Sequence, residues 1–126
     1  MKDRHPLVTA YVRAMQCGAD GQDELLSLFH DDGQYVEHFS GQPRVHQGRP
    51  AIAEWLAGSM QYQPPDISIT VDSIDIDGDT IRAAWTCVSS AFESPARGID
   101  TYDTRAGLIQ RLETVITQQP GLRPDD

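Results

Sequence analysis

"ISITVDSIDIDGDTIRAAWTCVSS", residues 67–90, decides the fold. Ile67, Ile69 and Val71 alternate with polar residues, the period-two pattern of a strand with one buried face. Ile74 and Ile76 resume the alternation after a slip, which predicts a bulge near Asp72-Ser73. Asp77-Gly78 is a strong hairpin signal, and the returning strand runs from Thr80 to about Ser90. Downstream the pattern continues: a strand over 97–104, a tight turn at Arg105-Ala106-Gly107, and a strand over 108–117. Upstream of Pro64-Pro65 the spacing is helical instead.

Pro6 suits the first turn of a helix, and Leu7, Val8, Tyr11, Val12 and Met15 follow at helical spacing until Cys17-Gly18. A second helix begins near Asp20–Asp23, carries Leu25, Leu26, Leu28 and Phe29, and stops at Asp31-Asp32-Gly33. A third opens on Pro50 and presents Ile52, Trp55, Leu56 and Met60. Between them "QYVEHFSGQP", residues 34–43, reads as a short strand running into a loop at Gly41-Gln42-Pro43. Helices first and strands after predict an α+β fold. The expected shape is a cone: a strongly curved mixed or antiparallel sheet, with three N-terminal helices enclosing an apolar pocket.

The chain has 126 residues, close to the commonest domain size, so one domain is expected over 1–117. Residues 118–126, with Pro120, Gly121 and Pro124, read as a flexible C-terminal tail. Ten basic against nineteen acidic residues give a formal charge of −9. Such a surface repels phosphate backbones and anionic lipid, which excludes nucleic-acid and membrane partners. No apolar run is long enough to span a bilayer, and the charged start at Met1–Pro6 is not a secretory signal. Cys17 and Cys87 make no disulfide framework. A cytoplasmic protein with reduced cysteines is expected.

Motifs of strong spacing for nucleotides or metals are missing from the sequence. His38 and His46 lack a third ligand at a recognisable interval, so no metal and no cofactor is expected. Tyr11 shares the Leu7–Met15 face, and a buried phenol needs a hydrogen-bond partner: either a backbone carbonyl or something in the pocket. Asp100 sits mid-strand with Gly98 and Tyr102 on its face, where aspartate is uncommon, so its face is either solvated or a pocket wall. Glu37 and His38 are adjacent in a strand and must point to opposite sides. His38 titrates in the range that suits a proton acceptor at neutral pH.

The stretch "DDGQYVEHFSGQPRVHQGRPAI" resembles the ketosteroid isomerase branch of the nuclear transport factor 2-like superfamily, which includes the SnoaL-like polyketide cyclases. "GIDTYDTRAGLIQRLETVI" resembles the closing hairpin of the same family. The likeness extends from about Val8 to Ile116. It implies an oxyanion hole built from the first-helix tyrosine, here Tyr11, and a protonated aspartic acid, here Asp100. It places the general base, an aspartate in the family, at His38. Local alternation turns Glu37 inward beside Tyr35 and Phe39, whereas the resemblance turns His38 inward and leaves Tyr35 and Phe39 for an interface.

The activity so implied is ketosteroid isomerase-like: proton transfer beside a carbonyl of a small apolar molecule, a steroid or a polyketide. Phe29, Trp55, Leu56, Met60, Trp85 and Tyr102 are the candidate substrate-binding walls. The alternatives are a polyketide cyclase or epoxide hydrolase with an ionised Asp100, or a non-catalytic binding domain with Asp100 paired to Arg82 or Arg111. The outer half of the sheet, with Thr86, Val88 and Val115, points to a homodimer.

Overall fold

A computed structural model describes residues 5–39, 41–60, 64 and 66–122. Helix α1 (Pro6–Gln16) starts where expected, with Pro6 in its first turn and the His5 ring accepting the Leu7 N–H. Its buried face is Leu7, Val8, Tyr11 and Ala14, the stripe that helical spacing requires. A 3-10 turn (Gly18–Gly21) leads into the short α2 (Gln22–Ser27). Strands β1 (Phe29–Glu37) and β2 (Arg44–Gln47) precede α3 (Arg49–Met60), whose Ile52 and Leu56 are buried.

The remaining strands are β3 (Ser68–Asp77), β4 (Thr80–Val88), β5 (Phe92–Ser94), β6 (Ala96–Arg105), β7 (Leu108–Gln118) and β8 (Gly121–Leu122). Six form one open mixed sheet in the order β2-β1-β7-β6-β4-β3. All its neighbours are antiparallel except β1 and β7. The helices cover one face of it, as the α+β cone requires. The register of β3 on β4 shifts between Val71 and Ser73, so the bulge lies where the slip in alternation put it. Gln16 Oε1 accepts the Ile69 N–H at 2.7 Å and ties the end of α1 to the outer strand.

Two expectations are corrected. Phe29 does not belong to the second helix: it opens β1 and pairs with Ile109 of β7. "LLSLF" is a short apolar run that suits either period, and the parallel pairing decides it, with the Ile109 N–H donating to Leu28 O at 2.8 Å. After Pro43 the chain adds a strand with no counterpart in the sequence reading, since Val45 pairs with Val36. The tail is not wholly free: Gly121 and Leu122 pair with β5 in a second, two-stranded sheet, while residues 123–126 lie outside the described ones.

Candidate active site

On the inner face of β6, Gly98, Asp100 and Tyr102 follow one another at strand period, all buried. Trp85 of β4 lies opposite Gly98 in register. A Cβ at Gly98 would overlap the Trp85 ring, so only glycine lets the indole lie flat and reach sideways. Its Nε1–H donates to Asp100 Oδ1 at 3.1 Å, and the Tyr102 hydroxyl donates to Oδ2 at 3.3 Å. The carboxyl is thus held by one donor from the neighbouring β4 and one from its own strand. Thr114 of β7 pairs with Asp100 in register. Its hydroxyl is buried, lacks a fully formed hydrogen bond, and stands near both Asp100 and the Tyr35 phenol.

Asp100, 5% exposed, opens on a cavity of about 200 Å³. Tyr11 of α1, Tyr35 of β1, Phe39, Trp85, Phe92 and Thr114 contribute to its wall. Burial pushes the Asp100 carboxyl up to about 6, opposed by the nearby Thr114 hydroxyl and by the hydrogen bonds from Trp85 and Tyr102. Desolvation disfavours the charge, and donors to the charged form restore part of it. A carboxyl raised this far exchanges its proton close to neutral pH. Burial also raises the phenols of Tyr11, Tyr35 and Tyr102, with the Asp100 charge adding to each. They stay protonated at neutral pH, as hydrogen-bond donors. Tyr11 also packs edge-on against Tyr102, centroids 5.7 Å apart.

Of the three residues expected to converge, Tyr11 and Asp100 share the cavity and His38 does not. Thr114 lines the cavity, so its neighbour Glu113 faces the other side of β7. His38 Nε2 is 2.7 Å from Glu113 Oε2, and its side chain is 30% exposed. Glu37 turns inward instead and is 0% exposed. Local alternation therefore wins over the resemblance at this pair. The reason is chemical: Glu37 finds partners inside, the Phe39 N–H at 3.0 Å and His46 Nε2 at 3.1 Å. Tyr35 and Phe39, assigned to an interface by the resemblance, line the cavity.

Among the expected walls whose side chains are described, only Trp85 lines it. Phe29, Leu56 and Tyr102 are in the core, Tyr102 as the support of Asp100. Trp55 lines a separate groove beside β2, and the Met60 side chain lies outside the described residues. Asp100 bonds neither candidate arginine: Arg82 is exposed and Arg111 Nη1 lies 3.4 Å from Glu113. Among the described residues no group of three or more histidine, cysteine or acidic side chains could hold a metal ion, and no helix is long and apolar enough to cross a membrane.

Residues 8–112 match the family model described as a SnoaL-like domain. The chain belongs to the SnoaL-like domain family. No curated protein matches this SnoaL-like chain in sequence. Solved structures share its fold. One, from Sinorhizobium meliloti and provisionally called a polyketide cyclase, is 21% identical, with a TM-score of 0.72 over 89% of this chain and 95% of its own. Another is a protein with a ketosteroid isomerase-like fold from Catenulispora acidiphila in complex with trimethylamine. It is 23% identical, with a TM-score of 0.67 over 87% of this chain and 84% of its own. TerC co-crystallised with polyporic acid is 16% identical, with a TM-score of 0.67 over 87% and 88%. At these identities the SnoaL-like likeness is one of fold.

Proposed function

We propose that this SnoaL-like chain is an enzyme that moves a proton beside a carbonyl of a small apolar molecule, with Asp100 as its acid–base group. The observation that carries the reading is the position of Asp100: a carboxyl raised to about 6, fixed by Trp85 and Tyr102, at the wall of an apolar cavity. A base with a pKa just below the working pH is largely ionised, yet still strong enough to take a proton. Asp100 takes the proton from the carbon beside the carbonyl. Tyr11 and Tyr35 donate hydrogen bonds to the enolate oxygen as it forms, each donor contributing about 3–4 kcal/mol to lowering the barrier in a dry site. Asp100 then returns the proton, either to another carbon, giving an isomer, or to an alkoxide formed when the enolate attacks a second carbonyl, giving a ring.

The two outcomes share a first step, and the cyclase is favoured over the steroid isomerase, which needs a separate base that His38, paired with Glu113 outside the cavity, does not supply. Size points the same way. Pockets for drug-sized ligands measure roughly 300–1,000 Å³, so about 200 Å³ suits a one- or two-ring ketone or a short polyketone better than a four-ring steroid. Exposed Val88 and Val115 on the outer face of the sheet support a homodimer as part of this reading.

The test is exchange of the α-protons of small cyclic ketones and of a short polyketone ester into deuterated water, with a 3-keto-Δ5 steroid as the isomerase control. Asp100→Asn is expected to lose catalysed exchange by about 10²–10⁴-fold, while His38→Ala keeps it. Equal exchange in wild type and Asp100→Asn, or loss in His38→Ala, overturns the reading.

A further inference from the structure

A second group of titratable side chains stands where β2 runs along α3. A groove of about 520 Å³ lies there, between Arg44 and His46 on one side and Glu54, Trp55 and Gly58 on the other. His46 is held on three sides. One ring face stacks on Trp55, centroids 4.9 Å apart with the planes 19° apart, and the ring also stacks with Tyr35 at 6.2 Å. Its Nε2 is 3.1 Å from Glu37 Oε2. An ionised carboxylate only accepts, so Nε2 carries the proton and Nδ1 keeps the lone pair. A carboxylate behind an imidazole fixes its orientation and stabilises the imidazolium that forms when Nδ1 takes a proton.

Glu37 is wholly buried, and a buried charge is costly unless it is bonded. Here its oxygens are committed to the Phe39 N–H and to His46, with Arg44 Nε at 3.7 Å. The Arg44 guanidinium stands over Trp55, 5.5 Å from the ring centroid, and its side chain is half-exposed. The groove thus sets an imidazole beside a cation. Ala51 and Gly58 keep it wide, and a Cβ at Gly58 would meet nothing within 4 Å.

We propose that this groove is a second small-molecule site, which takes a planar phenol or enol with its hydroxyl on His46 Nδ1 and its oxygen beside Arg44. The O–H bond breaks as the N–H bond forms, the imidazolium is balanced by Glu37, and the oxyanion is balanced by Arg44. Nothing is oxidised or reduced. Glu54 lines the α3 side, so a ligand carrying a further carboxylate binds less well than a neutral phenol.

The probe is 4-nitrophenol, whose coloured phenolate reports its own ionisation. It is titrated into the full chain labelled with 5-fluorotryptophan, in which fluorine resonances separate Trp55 from Trp85. Saturable binding is expected, with the bound phenol ionising at lower pH than the free one, and with the Trp55 resonance moving while that of Trp85 stays. His46→Gln is expected to lose the ionisation shift and bind at least about tenfold more weakly. Arg44→Gln, at an exposed position, is expected to weaken binding similarly and carries the test should His46→Gln not fold. Movement of the Trp85 resonance alone overturns the proposal. So does wild-type binding and ionisation in both variants.

Discussion

The Trp85 indole N–H, on β4, donates to Asp100 Oδ1 on the neighbouring β6 at 3.1 Å. The ring reaches the carboxyl only by lying over Gly98. One glycine, one indole and one carboxyl therefore act as a unit.

Removing the indole donor strips a bond made to the charged carboxylate, which raises the carboxyl pKa. In Trp85→Phe the Asp100 titration is expected above about 6, the value it holds with the bond in place. The acid limb of the rate profile moves up with it. A pH series of α-proton exchange rates checks this, and an unmoved limb would separate Asp100 from the rate.

Gly98→Ala tests the same unit from beneath. The added methyl overlaps the Trp85 ring and approaches Val115 O at 2.8 Å, so the indole must lift. The expected cost is about 1–3 kcal/mol of stability, read by urea unfolding, together with a shift in tryptophan emission. Unchanged stability and emission would show that the ring does not rest on Gly98.

Asp100 also makes stability depend on pH. Folded, it keeps its proton up to about 6; unfolded, it loses it near the ordinary 3.8. Between these values the folded state binds more protons, so the contribution is present below the lower value and lost as pH rises through the upper one. The gap corresponds to roughly 3 kcal/mol. The stability of wild type relative to Asp100→Asn is expected to fall by about that much from about pH 3.5 to about pH 7. Urea titrations at both ends check it, and a constant difference contradicts it.

Much of this was legible in the sequence, and the failures have identifiable causes. The bulge in β3 and the hairpin at Asp77-Gly78 are local features, fixed by alternation and by glycine at positive φ. Asp100 stood out because aspartate is rare inside strands. Its partner Thr114 did not. Counting back from the Arg105↔Leu108 pair puts Glu113 opposite Asp100, but the register slips between Asp103 and Thr104 and brings Thr114 there instead. Two facing carboxylates are thereby avoided, and no local pattern announces the slip. Phe29 was lost to a helix for a similar reason, since its strand is fixed by a partner eighty residues away, Ile109.

Glu37 and His38 make a paired test of which side each one occupies. Glu37→Ala leaves His46 and the Phe39 N–H without their acceptor in a buried place, and is expected to cost about 2–4 kcal/mol. His38→Ala removes a part-exposed pair with Glu113 and is expected to cost under about 1 kcal/mol. It also lets the Glu113 carboxyl, held low chiefly by the His38 hydrogen bond, rise towards its usual range. Denaturation of the two variants side by side decides it, and equal costs would contradict the assignment.

Carbon-detected NMR titration of the Asp100 side-chain carboxyl in the folded protein tests the central claim most directly. A midpoint at about 6, unchanged in His38→Ala, is the predicted result. A midpoint at the ordinary aspartate value would mean the carboxyl is solvated, and the cavity would then hold no group able to move a proton at neutral pH.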